Sequence, residues 1–288
     1  MTHDVHTAPD RTRASQAAPH RTLGILLFVL AGVLVLNSVL GPLATGVIGY
    51  PIAETVRNQL IGLELVSVLL VAPLSAVAGI LALRGHRAAG VLGFGPAAYT
   101  AYMFAQYVLG PQYRSYNLTV LFHVGVFSLG AAVALVAWTG TDSAGLPTLT
   151  RVRERWYGVF LLALAAFVAS RYAGVLAGTG SPIAGEFAGS PAFYWTIVLL
   201  DLGVVVPGTA VAGVALIRGA RAARTALYAV LGWFALVPPS VAAMGLAMVV
   251  NDDPYSSAGQ TALLGGVSVL FLAVAVWIYR PVLTRVDG

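Results

Sequence analysis

Eight stretches of this chain are long and apolar enough for a helix to cross a lipid hydrocarbon core, which takes about 20 residues. They fall at roughly 22–43, 60–83, 91–110, 118–138, 156–176, 192–217, 225–250 and 261–279 of the 288 residues. The polar segments between them are short and leave no room for a soluble domain. Charge agrees with this. Only 9% of residues are Asp, Glu, Lys or Arg, against about 25% in soluble domains. The sequence therefore predicts an all-α integral membrane protein of eight transmembrane helices, each satisfying its own backbone hydrogen bonds within lipid.

Arginine placement orients it. With a cytoplasmic N-terminus, the inner segments hold Arg11, Arg13, Arg21, Arg84, Arg87, Arg151, Arg153, Arg155, Arg218, Arg221, Arg224, Arg280 and Arg285. The outer loops hold only Arg57 and Arg114. Positive residues favour the cytoplasmic side, so both termini are expected there, in a bacterial cytoplasmic membrane. The Ala-, Val-, Gly- and Arg-rich composition suggests a bacterial source of high GC content.

The chain also repeats itself. PLSAVAGILALRGHRAA (73–89) and PGTAVAGVALIRGARAA (207–223) are identical at ten of 17 positions, 134 residues apart. The same offset pairs Arg21 with Arg155 and Gly24 with Gly158, while GYPIAE (49–54) resembles GSPIAGE (180–186) at an offset of 131. The expected organisation is a disordered cytoplasmic tail (1–21), a four-helix repeat (22–139), a cytoplasmic linker (140–155), a second four-helix repeat (156–280) and a short tail (281–288). Four crossings per half make this a parallel 4+4 internal repeat. The first span matches the internal fifth, so it is expected to stay in the mature protein rather than act as a cleaved signal. Pro73 and Pro207 should kink equivalent helices. The repeated RGxRAA reads as a tight inner turn, with anionic headgroup binding as the other reading. Ser75 with Gly79, and Thr209 with Gly213, form small faces suited to close packing.

Several chemistries are excluded. The chain has no cysteine and no lysine, all 16 basic residues being arginine. Thiolate, iron–sulfur and Cys–zinc sites are out, as are Schiff-base and phosphate-loop lysines. No catalytic motif is present, and His123 is the sole intramembrane histidine, so no haem ligand pair exists. No cofactor is expected, and no nucleic-acid partner, since inner arginines account for the basic balance. Asp252-Asp253 reads as a solvated outer turn.

Candidate site residues come from polar groups inside the runs, which are costly in lipid and usually face protein. Counting about 1.5 Å per residue from the inner arginines puts Arg171 and Asp201 roughly 24–26 Å up, on adjacent antiparallel helices. A mutual ion pair is expected, with snorkelling of Arg171 to the headgroups as the alternative. Glu64 falls near the outer boundary and reads as interfacial. Asn37, Gln106 and His123 lie at similar depth, with Tyr99, Tyr102 and Tyr107 around Gln106. The expected ligand-binding set is Asp201, Arg171, Gln106, His123, Asn37, Glu64 and Tyr102, in one polar layer between the halves in the outer third of the bilayer. Three functions fit: binding or transport of a small molecule or ion; a non-catalytic subunit or scaffold for a membrane partner; or an intramembrane enzyme using His123, Glu64 or Asp201 as acid–base groups. The absent motifs weigh against the enzyme. A water-accessible cavity lined by Asp201, Arg171 and Gln106 separates the first and third from the second.

Overall fold

The computed structural model describes residues 11–115, 117–180 and 183–284. Among them the protein is all-helical, without strands. Six helices are long and apolar enough to cross a membrane: His20–Leu40, Glu54–Leu83, Leu118–Thr139, Pro191–Arg218, Ala223–Val250 and Ala258–Thr284. The chain is a multi-pass, membrane-embedded bundle.

The first of these belongs to α1 (Arg11–Leu40). Residues 11–21, expected as tail, thus continue the helix, and 1–10 lie outside the described residues. The second span is α2 (Glu54–Val66), a π turn (Ser67–Val71) and α3 (Ala72–Leu83). Proline explains the π turn. Pro73 has no N–H for the carbonyl four residues back, and its ring would strike that carbonyl. The ladder widens instead, and the Ala72 N–H reaches Ser67 O, five residues back. The same device recurs in α8 (Pro191–Leu200), a π turn (Asp201–Val205) and α9 (Val206–Arg218), where the Val206 N–H reaches Asp201 O ahead of Pro207. The two π turns stand 134 residues apart.

Both composite helices end alike. Gly85 and Gly219 adopt φ of 67° and 71°, the left-handed region that glycine enters without a Cβ clash. His86 N–H bonds Leu81 O, and Ala220 N–H bonds Ala215 O, each at 2.9 Å. These six-to-one closures stop the helices and turn the chain, so RGxR is a tight turn in both places.

α3 packs on α1, and α9 packs on α6 (Arg151–Ser170). Each crossing is made at glycines. A Cβ on Gly24 would sit 3.1 Å from Gly79 O, and one on Gly158 would sit 2.7 Å from Gly213 O. The backbones approach closely because neither position has a side chain. Gly79 and Gly213 thus mark the crossings, while Ser75 bonds its own helix at Val71 O (2.8 Å).

α4 (Ala88–Leu109) lies at the centre, against α3, α5 (Leu118–Thr139) and α10 (Ala223–Phe234). A Cβ on Gly95 would be 2.8 Å from Gly232 C, so α4 and α10 touch backbone to backbone. α11 (Val237–Val250) follows a break before Pro238 and Pro239, and packs on α2 and on α12 (Ala258–Thr284). α4 and α6 are not among the six apolar helices. α4 contains Pro96, Gln106 and three tyrosines, and is buried at most positions. α6 opens with Arg151, Arg153, Glu154 and Arg155, so its start, assigned to the linker from the sequence, is helical.

The expected span 156–176 is not one helix. α6 stops at Ser170, and α7 (Ala173–Leu176) follows a turn. Arg171 therefore sits at a helix end. Ser181 and Pro182, in the third repeated window, and 285–288 lie outside the described residues.

Contacts between loops define two ends of the bundle. Gln112 N–H meets Pro51 O at 3.4 Å, joining segment 110–117 to segment 41–53. At the other end Ser143 bonds Thr225 (2.8 Å) and Arg224 bonds Leu146 O (3.0 Å).

Candidate functional site

A cavity of about 350 Å³ lies between α2 and α4 on one side and α6, α8, α10, α11 and α12 on the other. It reaches from Ser240 to the loop at Tyr255–Ser257. Its residues come in helical register. Tyr99, Tyr102, Met103 and Gln106 line it from α4, at the three- and four-residue spacing of one helix face. The opposite face of α4 turns Phe104 and Tyr107 toward His123.

Asp201 is the cavity's buried carboxylate, 4% exposed. It is the first residue of the second π turn, where the widened ladder re-aims side chains, a common setting for functional groups. Tyr102 OH donates to its Oδ1 at 2.7 Å, and Tyr172 OH to its Oδ2 at 2.5 Å. The first π turn also opens onto α4. There Ser67 stands in the equivalent place, its hydroxyl 2.9 Å from Leu63 O and 3.6 Å from Met103 Sδ. The backbone device is shared and the carboxylate is not.

The expected Arg171–Asp201 ion pair is absent among the described residues. Because α6 ends at Ser170, Arg171 turns outward and is exposed, its guanidinium 5.9 Å from the Tyr172 ring centre. The two phenol hydroxyls offset the buried charge in its place. Arg171 still lines the cavity, as do Gln106, Tyr102 and Asp201. In the loop before α8 (Pro191–Leu200), burial raises the Glu186 carboxyl above its ordinary range, Arg171 counteracts this, and Asp253 adds to it.

Asn37, Glu64 and His123 do not line the cavity. They form a second buried cluster among α1, α2 and α5, so the expected single layer is two sites. His123 Nε2 lies 3.1 Å from Asn37 Oδ1 and 3.4 Å from Tyr50 OH. Asn37 Nδ2 donates to Glu64 Oε1 at 3.3 Å, and Leu43 N–H donates to Oε2 at 3.0 Å. Glu64 is fully buried within the protein. Gly41 packs against its carboxylate, where a Cβ would collide. Tyr50 stacks on His123 with rings 5.6 Å apart and 10° from parallel.

The Asp252-Asp253 turn is half as expected. Asp252 is exposed, but Asp253 is 5% exposed and accepts from Asn58 Nδ2 (2.9 Å), Thr55 Oγ1 (3.4 Å) and Tyr255 N–H (3.0 Å). It pins the loop between α11 and α12 to the start of α2. Sequence reasoning missed this latch, along with Tyr172, Trp233, Gln59 and Ser240. Tyr172 carried one signal, its place beside a charged residue in an apolar run. Trp233 packs edge-on to Tyr102 at 5.4 Å, and Ser240 bonds Tyr99 OH at 2.6 Å. No group of three or more His, Cys, Asp or Glu suited to a metal occurs among the described residues. No family model matches the chain, and no curated protein or solved structure is significantly similar to it.

Proposed function

We propose that the protein crosses a bacterial cytoplasmic membrane eight times, as two parallel four-helix repeats with cytoplasmic ends, and binds or carries a small molecule in the cavity between the halves. Loop contacts support the eight crossings. Segment 110–117 meets the 41–53 segment, and the 140–150 linker meets α10 beside the Arg221–Arg224 turn. Those partners lie at opposite ends, so α4 and α6 run from end to end. At about 1.5 Å per residue they are long enough, roughly 30 Å or more. α4 is sheltered by neighbours, so its tyrosines and glutamine need not face lipid. The paired π turns, glycine crossings and closing turns, each 134 residues apart, support the repeat.

One observation carries the binding function: a cavity of about 350 Å³, within the size range of small-molecule sites, lined by the buried carboxylate of Asp201, whose counterpart in the other half is Ser67. A scaffold would gain nothing from leaving this space unfilled, because voids forfeit packing. The test is a thermal-stability screen of the purified protein against ions, amino acids, amines, quinones and lipids. The same screen is run on Val241→Trp, which fills the cavity. At least one class should stabilise the wild type, since a bound ligand shifts unfolding by mass action, and should not stabilise the variant. If no class distinguishes the two proteins, the binding reading fails.

A further inference from the structure

The cavity's lining is unbalanced in charge. Its carboxylates are Asp201, buried at the floor, and Glu186, half-buried toward the outer loops. Its one cation is Arg171, which is exposed, lies over Tyr172 and shares the field of Glu186. Gln59 also lines the cavity; it is 2% exposed, and its Oε1 is buried without a hydrogen-bond partner among the described residues. The apolar lining is rich in aromatic rings and sulfur, including Trp233, Phe234, Tyr194, Met103 and Met244. Ring faces carry negative potential and attract cations, and thioether sulfur is soft and adaptable.

Two tyrosine hydroxyls hold the Asp201 carboxylate in place without exhausting it. An ionised carboxylate has about four acceptor sites, and the phenols take one on each oxygen. An anion here would face two carboxylates, with only the outward Arg171 in its favour. A cation meets the two carboxylates and a largely aromatic wall.

We propose that the ligand is an organic cation with an apolar or aromatic body, its positively charged nitrogen seated against Asp201 among the rings of Tyr102, Tyr172 and Trp233. This rests on the binding role proposed for the cavity and names the ligand's chemical class.

The probe is benzyltrimethylammonium, measured by equilibrium dialysis on the full chain in detergent, with benzenesulfonate and benzyl alcohol as the anionic and neutral counterparts. The cation should bind saturably and the other two at least tenfold more weakly. Asp201→Asn should weaken cation binding at least tenfold, and Asp201→Glu should recover part of it. Tyr172→Phe should tighten it severalfold, because the carboxylate loses a donor and keeps the ring. This opposite-signed effect tests the idea even if Asp201→Asn fails to fold. Val241→Trp should abolish binding, which separates the site from partition into detergent. Preferred binding of benzenesulfonate, weakened by Arg171→Gln, would overturn the cation class and leave the cavity as a binding site. Cation binding indifferent to Asp201 and Tyr172 would also overturn it. If no probe binds and the broad screen finds no difference between wild type and Val241→Trp, the binding role of the cavity falls as well.

Discussion

Asn37 illustrates how much one buried amide can hold. It accepts or donates on both sides, joining His123 on α5 to Glu64 on α2, and all three side chains are at most 2% exposed. Asn37→Leu leaves Glu64 Oε1 and His123 Nε2 short of a partner, at a cost of about 1–3 kcal/mol for a buried unsatisfied group. Thermal unfolding in detergent should show that loss, and Asn37→Ser, which can still donate and accept, should recover part of it. Glu186 is the residue whose pH behaviour is most direct. Burial favours its neutral form, so the folded state holds this proton more tightly than the unfolded chain does. Its contribution is then most favourable while Glu186 is protonated, and declines as pH rises from the ordinary carboxyl range through the raised folded value. Glu186→Gln should flatten that part of the stability–pH curve, and a steeper curve would contradict the assignment. At this scale the sequence disclosed which residues were costly but not their partners. Asp201 was conspicuous because a short carboxylate in an apolar run demands company. Depth alone suggested Arg171, since counting residues cannot register where a helix ends, or that the neighbouring Tyr172 and the distant Tyr102 both turn their phenols to Asp201.

Elements were more legible where backbone geometry left little choice. Proline and glycine constrain the chain wherever they stand, so matching prolines, turn glycines and crossing glycines foretold matching devices. The π turn itself was not foreseen. A kink was expected from Pro73 and Pro207; at each proline the helix widens by one turn residue, a common setting for kinks. That widening adds a residue to the turn and so rotates what precedes it by about 100°. Pro207→Ala restores an N–H and allows an ordinary turn, which would carry Asp201 away from Tyr102. Ligand binding should then fall with Asp201→Asn-like severity while helicity by circular dichroism stays unchanged. The crossings give a matched pair of tests. A Cβ on Gly213 would come within 2.8 Å of Gly158 O, whereas nothing lies within 4 Å of one on Gly208 in the same helix. Gly213→Ala should therefore destabilise by about 1–3 kcal/mol through overpacking. Gly208→Ala should be neutral or stabilising by up to about 1 kcal/mol, as replacing a helical glycine usually is. Equal effects would mean that the crossing is looser than its geometry.

For the whole molecule, the decisive question is whether α4 and α6 cross the membrane. By apolarity alone six helices qualify, and a six-crossing chain also has both ends on one side. The two arrangements differ in where α4 and α6 leave their neighbours. With six crossings, segment 110–117 stays on the side of the Arg84–Arg87 turn, and the 140–150 linker moves to the outside together with Arg151, Arg153 and Arg155. That puts three arginines where positive charge is disfavoured. It also separates Ser143 from Thr225, which are 2.8 Å apart. With eight crossings both objections vanish, and the less apolar helices are the ones with a reason to be so, α4 being buried and α6 beginning at the arginine-rich inner boundary. The native chain contains no cysteine, so single substitutions report without background. Ser115→Cys, Ala144→Cys, Arg221→Cys and Pro254→Cys all fall at exposed positions. A membrane-impermeant maleimide applied to intact cells should label the variants at 115 and 254, and should reach those at 144 and 221 only after permeabilisation. The variants at 221 and 254 behave alike under both arrangements and serve as controls for inside and outside. Exchange of the other two, with 144 labelled from outside and 115 hidden, would establish six crossings and dissolve the parallel repeat, because two halves of three crossings each would enter the membrane from opposite sides.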